Sequence, residues 1–166
     1  MSTHAALALR SMALGLTLAG AACASPTDAE RILAESDAAE ALWLRTRPLS
    51  YALLESRSCE CLPEWAGPVR LRVTRRQGAH VPSESEMIVE GTYVMGGEAL
   101  DAEQLSRFVT VSGLFERIRD AVTSGAVVEA DFDPDRGYPR EVFIDPVADA
   151  VDDEVVYHLE VVDPGS

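Results

Sequence analysis

Two hydrophobic periods divide this chain, one of three to four residues and one of two, and they mark out helices and strands in turn. Between about Thr27 and Arg45, the residues Ile32, Leu33, Ala39, Leu42 and Trp43 recur at three- and four-residue steps and predict a helix. Ser25-Pro26-Thr27-Asp28 supplies its entry, Arg45 and Arg47 suit the negative end of its dipole, and Pro48 stops it. Leu49, Tyr51 and Leu53 then alternate with Ser50 and Ala52, the pattern of a strand with one buried face. Ser58 to Pro68 contains two prolines and a glycine and reads as a loop. Val69, Leu71 and Val73 alternate with Arg70, Arg72 and Thr74, the clearest amphipathic strand of the chain. Arg75-Arg76-Gln77-Gly78 reads as a hairpin turn, and Ala79 to Val94 as one or two further strands, with Pro82 at an edge or a break.

The second half repeats this order. Gly96-Gly97 opens a polar connection, after which Val111, Leu114, Phe115, Ile118, Ala121 and Val122 predict a helix from Val111 to about Thr123. Thr110 is its expected cap and Gly125 its end. Val128, Ala130 and Phe132 alternate with Glu129 and Asp131 in a strand. Asp133-Pro134-Asp135-Arg136-Gly137-Tyr138-Pro139 is a turn, Val142 and Ile144 lie on the return strand, and Asp145-Pro146 ends it. Val155, Tyr157, Leu159 and Val161 share one face of a last strand. The expected fold is α+β, an antiparallel sheet of about four to six strands with two helices packed on one face. Both halves read helix then hairpin, which hints at a duplication, although residue identity between them is thin.

Ahead of this domain, Ser11 to Ala22 is a twelve-residue run of apolar and small residues behind a head carrying Arg10. It is too short to span a bilayer, which takes roughly 20 residues, and it has the layout of a secretory signal. Cys23 follows Ala21-Ala22 at the cleavage point and is the expected lipidation site of a bacterial lipoprotein. The lipobox that this stretch resembles has Leu three residues before the cysteine, where this chain has Gly20. Ala22-Cys23-Ala24 is also an A-x-A site, which would place an ordinary cut before Ser25. Residues 1–22 are thus expected to be a signal peptide, 23–30 a short tether and 31–163 one domain. The expected place is the cell envelope, with a lipid anchor or else as a soluble periplasmic or secreted chain.

The chain carries a formal net charge of −14, and loss of Arg10 would lower it by one more. Such a surface repels phosphate backbones, so nucleic acid is excluded as a partner, and direct contact with anionic lipid is disfavoured. All fourteen basic residues are Arg, and Lys and Asn are absent, a bias expected of a GC-rich bacterial genome and not of a function. From Ala121 onward twelve acids face only Arg136 and Arg140, a balance that serves solubility or attracts cations or a basic partner.

Tyr51, Cys59-Glu60-Cys61, the strand Val69 to Val73, Leu114-Phe115 and above all Phe132-Asp133-Pro134, Gly137-Tyr138-Pro139 and Ile144-Asp145 carry a resemblance. Over roughly Trp43 to Val161 the chain resembles a bacterial domain-of-unknown-function family, number 6174, of small secreted proteins and lipoproteins. The D-P-x-x-G-Y-P turn is the specific part of the match. Phe132 stands where Tyr is common, and Gly113 where an acid would complete a capping box. The resemblance implies an exported α+β domain and transfers no catalytic residue.

Candidate chemistry is sparse. With Cys23 lipidated, Cys59 and Cys61 remain as an even pair in an oxidising compartment. The pair reads as a disulfide that staples its loop, with a redox couple and a metal site as alternatives. Zinc wants four ligands, and only His80 and His158 remain to join the pair. Copper(I) accepts two thiolates, but no Met cluster supports it. Asp131, Asp133 and Asp135 open like a calcium loop, but Gly137 is one residue late and Glu141 one early. Asp133 is therefore expected to bond turn amides, with Asp149, Asp152, Asp153 and Glu154 as possible extra ligands. There is no nucleophile elbow, phosphate loop or dinucleotide fingerprint, and His80 and His158 read as exposed strand residues. Trp43, Tyr51 and Trp65 read as packing residues. The expected role is a non-enzymatic binding or structural module of the envelope, without cofactor, catalytic residue or bound metal. A cation-binding module built on the acidic half and a thiol-redox or metal role for the cysteine pair are the alternatives.

Overall fold

A computed structural model describes residues 27–75, 86–146 and 153–162. The signal, tether and lipidation readings at 1–26, the turn at 76–78, His80, Pro82, Asp149 and Asp152 lie outside the described residues. Helix α1 (Asp28–Thr46) begins with a capping box. Thr27 accepts from the Glu30 amide, and the Glu30 carboxylate accepts from the Thr27 amide at 2.7 Å. It starts three residues inside the stretch read as tether. Strands β1 (Ser50–Cys59), β2 (Val69–Arg75) and β3 (Glu86–Tyr93) follow, with a four-residue helix α2 (Pro63–Ala66) between β1 and β2. Then come a second four-residue helix α3 (Ala102–Leu105), helix α4 (Val111–Ser124), and strands β4 (Val127–Phe132), β5 (Pro139–Asp145) and β6 (Val155–Val162). Gly125 closes α4 in the left-handed region at φ 87°.

All five strand pairings are antiparallel, and the order across the sheet is β3-β2-β1-β6-β5-β4. One face carries Tyr51, Leu53, Val69, Leu71, Val73, Val142, Tyr157, Leu159 and Val161. These pack with Trp43 of α1 and Leu114, Phe115 and Ile118 of α4 in one core. Among the described residues no helix lies on the other face. The α+β class and the antiparallel sheet stand as expected, but the helices number four among the described residues. The two extra helices are single turns without a 3.6-residue apolar stripe, so no period announces them.

Several local expectations change. Cys59, read as loop, is the last residue of β1, because alternation continues inward through Glu55 and Arg57. Leu49, read as a core position, lies outside β1 and is 55% exposed. A single strand occupies the described part of Ala79 to Val94. The duplication reading fails on geometry. The strands of the first half lie in the order 3-2-1 and those of the second in the order 6-5-4, running in opposite directions. Superposing them would turn the sheet over and put α1 and α4 on opposite faces, yet both pack into one core.

Candidate functional site

The start of α4 is held by two buried carboxylates. The Glu86 side chain is fully buried and accepts four hydrogen bonds. They come from Trp43 Nε1 at 3.2 Å, Arg47 Nη1 at 3.2 Å, Tyr51 Oη at 2.9 Å and the Ser112 amide at 3.0 Å. Tyr51 Oη in turn accepts from the Val111 amide at 3.4 Å. Burial, reinforced by the Glu86 charge, pushes the Tyr51 phenol well above its ordinary pKa, so it remains a donor. Glu55, also fully buried, accepts from Arg57 Nη2 at 2.6 Å and from the Val109 amide at 2.9 Å. Burial raises its pKa against the opposing pull of Arg57. Thr110 Oγ1 takes the Gly113 amide at 3.0 Å. The first-turn amides of α4 are thus spent inside the protein. Both carboxylates are joints between sheet and helix.

Arg57 also lies between aromatic rings, 5.3 Å from the centre of Phe108 and 5.1 Å from that of Tyr157. Arg117 donates to Tyr157 Oη at 2.9 Å. Two residues beyond Arg57, Cys59 is disulfide-bonded to Cys61, with Cα atoms 5.2 Å apart. Trp65, read as a packing residue, lies exposed on α2 under the Arg107 guanidinium.

The Asp133–Pro139 turn serves α1. Asp133 Oδ1 accepts from the amides of Asp135 and Arg136 at 3.1 and 2.8 Å, which is the turn-amide bonding expected of it. Gly137 has φ +83°, and a Cβ there would collide with the Ala39 carbonyl and lie 2.9 Å from the Trp43 amide nitrogen. Tyr138 meets Trp43 edge-on at 6.1 Å, and Pro134 caps the outside of the turn, exposed. Asp131, the first acid of the calcium-like frame, is instead paired with Arg140 at 2.6 Å. Among the described residues no three His, Cys, Asp or Glu side chains are placed to hold a metal ion.

Among the described residues no helix covers the opposite face of the sheet. On its β1–β3 half, Arg70 stands between Leu54 and Thr92, and Arg72 between Ala52 and Glu90. Arg72 holds Glu90 through two bonds of 2.6 and 3.0 Å, and this pair lowers the pKa of Glu90. A hollow of about 380 Å³ opens there, lined by Ser50, Ala52, Arg70, Arg72, Thr92 and Ala99. The other half is acidic, with Glu160, Glu141, Asp131 and Glu129. His158 is on this half, 3.2 Å from Glu141, as the strand residue expected. No part of the sequence reading singled out Arg70, Arg72, Glu55 or Glu86 as site residues. The two Arg and Glu86 fall at unremarkable points of an alternating pattern. Glu55 had a signal, since it continues the inward phase of Tyr51 and Leu53.

A six-stranded antiparallel sheet, helices on one face and an open charged face on the other, defines an α+β sheet-and-helix domain. Residues 35–164 match a family described as being of unknown function (DUF6174), and the chain belongs to it. No curated protein and no solved structure matches the chain.

Proposed function

We propose that this chain is an exported bacterial lipoprotein, anchored through Cys23, and that it acts without catalysis by binding a protein of the cell envelope on its open sheet face. The observation that carries the reading is the asymmetry of the sheet. One face is sealed by α1 and α4, while the other presents Arg70 and Arg72 beside Ala52 and Leu54 across from an acidic half. The buried carboxylates, the natural candidates for acid–base work, are fully occupied in joining sheet to helix. Among the described residues no helix is long and apolar enough to cross a membrane.

The test is photo-crosslinking in the native envelope from a probe at Ala52 on the open face and a probe at Ala38 on the exposed side of α1. A defined protein adduct from Ala52 only, lost when Arg70 and Arg72 are changed to Glu, is the expected result. Absence of any adduct, together with a substrate that the purified chain turns over, overturns the binding reading. Cys23→Ser is expected to move the chain from the membrane fraction to the soluble one.

A further inference from the structure

We propose that the end of the sheet carrying Trp65 rests on a zwitterionic lipid surface, which orients the whole domain; this builds on the Cys23 anchor of the preceding reading. The end of β1, the start of β2 and the end of β3 lie together by the register of the sheet. Leu62 and Trp65 lie in the link from β1 to β2, and Val94 and Met95 follow β3. Tyr93 Oη donates to the Glu64 carbonyl at 3.1 Å and the Val94 amide to the Pro68 carbonyl at 3.0 Å, so the two segments stand side by side. Leu62 is 54% exposed, Trp65 41%, Val94 52% and Met95 82%. They make up four of the seven large apolar side chains exposed among the described residues, gathered at one end. Trp65 is steadied by Arg107, 5.3 Å from its ring. A tryptophan with aliphatic and thioether neighbours suits the interface between lipid headgroups and acyl chains.

The tether arrives at the same end. α1 runs antiparallel to α4, with Arg47 beside Ser112 and Glu40 paired with Arg119. α4 leads directly into β4, whose start pairs with the end of β5, on the Trp65 side of the sheet. The start of α1 therefore points the same way. Thr27 is four residue steps beyond Cys23, a reach of at most ~14 Å. A lipid on Cys23 would hold this end, and no other, against the bilayer. Glu60, Glu64 and Glu98 are exposed beside the apolar cluster, which selects a zwitterionic over an anionic surface.

The full chain, purified with its anchor and reconstituted into phosphatidylcholine vesicles with brominated acyl chains, separates the two claims. Flotation reports the anchor, and quenching of tryptophan reports docking. Trp43 is buried without exposed surface and serves as the unquenched reference. The expected result is a loss of emission on bromination that disappears in Trp65→Phe and is reversed by combining Leu62→Glu with Met95→Glu. A chain that floats with unchanged emission overturns the docking and leaves the anchor standing. A chain that does not float overturns both. A crosslink from position 95 to a protein in native membranes, with no quenching, assigns the cluster to a protein partner and overturns the lipid surface.

Discussion

Glu86 gathers an indole, a guanidinium, a phenol and a helix amide onto one fully buried carboxylate. Glu86→Ala leaves these donors without their acceptor in the core and is expected to cost about 3–5 kcal/mol in urea unfolding. Tyr51→Phe removes one of the four bonds and should cost about 1–2 kcal/mol by the same measurement. Glu55 gives a pH signature. Its pKa is raised in the folded chain, so above the ordinary carboxylate range the folded state keeps a proton that the unfolded state has released. Its contribution to stability is therefore greatest at low pH and declines as pH rises through the raised value. Glu55→Gln should show a smaller decline than the parent chain as pH rises above the ordinary carboxylate range, whatever its absolute stability. Gly137→Ala combines a positive φ with a clash against the α1 backbone and should cost about 2 kcal/mol or more. These residues were unevenly legible. The turn at 133–139 shows in its Asp, Pro and Gly, while the burial of Glu86 depends on α1 and α4 arriving from distant parts of the chain.

At the scale of elements, the long helices and the amphipathic strands were readable because each has a period that its burial obeys. α4 shows this best, with Val111, Leu114, Phe115 and Ile118 buried on one stripe and Thr110 capping it. Thr110→Ala removes the acceptor of the Gly113 amide and is expected to cost about 1 kcal/mol, read from the shift in the thermal or urea midpoint. β1 was legible only in its first half. A glutamate and an arginine at inward positions look like the end of a strand unless a buried ion pair is foreseen. The single turns of α2 and α3 have too few residues for any period to appear, and α3 owes its start to a capping box of Asp101 and Gln104.

For the whole molecule, local pattern settles which side of each strand is buried and that neighbours run antiparallel, but it does not settle who the neighbours are. Nothing in the chain's local pattern says that β1 pairs with β6, since that contact joins residues a hundred positions apart. The open face was equally hidden, because its half-buried positions carry Ala52, Leu54, Phe143 and Val156 among the charges. A chain ended at Asp153 keeps the three strands β1–β3 and the hairpin β4–β5 yet loses the strand that unites them, and it is expected to show no cooperative transition in urea. The placement of β1 and β6 side by side at the middle of the sheet sets a timing as well as a shape. Of the six described strands a ribosome makes β1 first and β6 last, so the sheet stays in two parts until β6 emerges. The domain therefore reaches its final form only once β6 has joined β1 to β5, and not strand by strand as the chain grows.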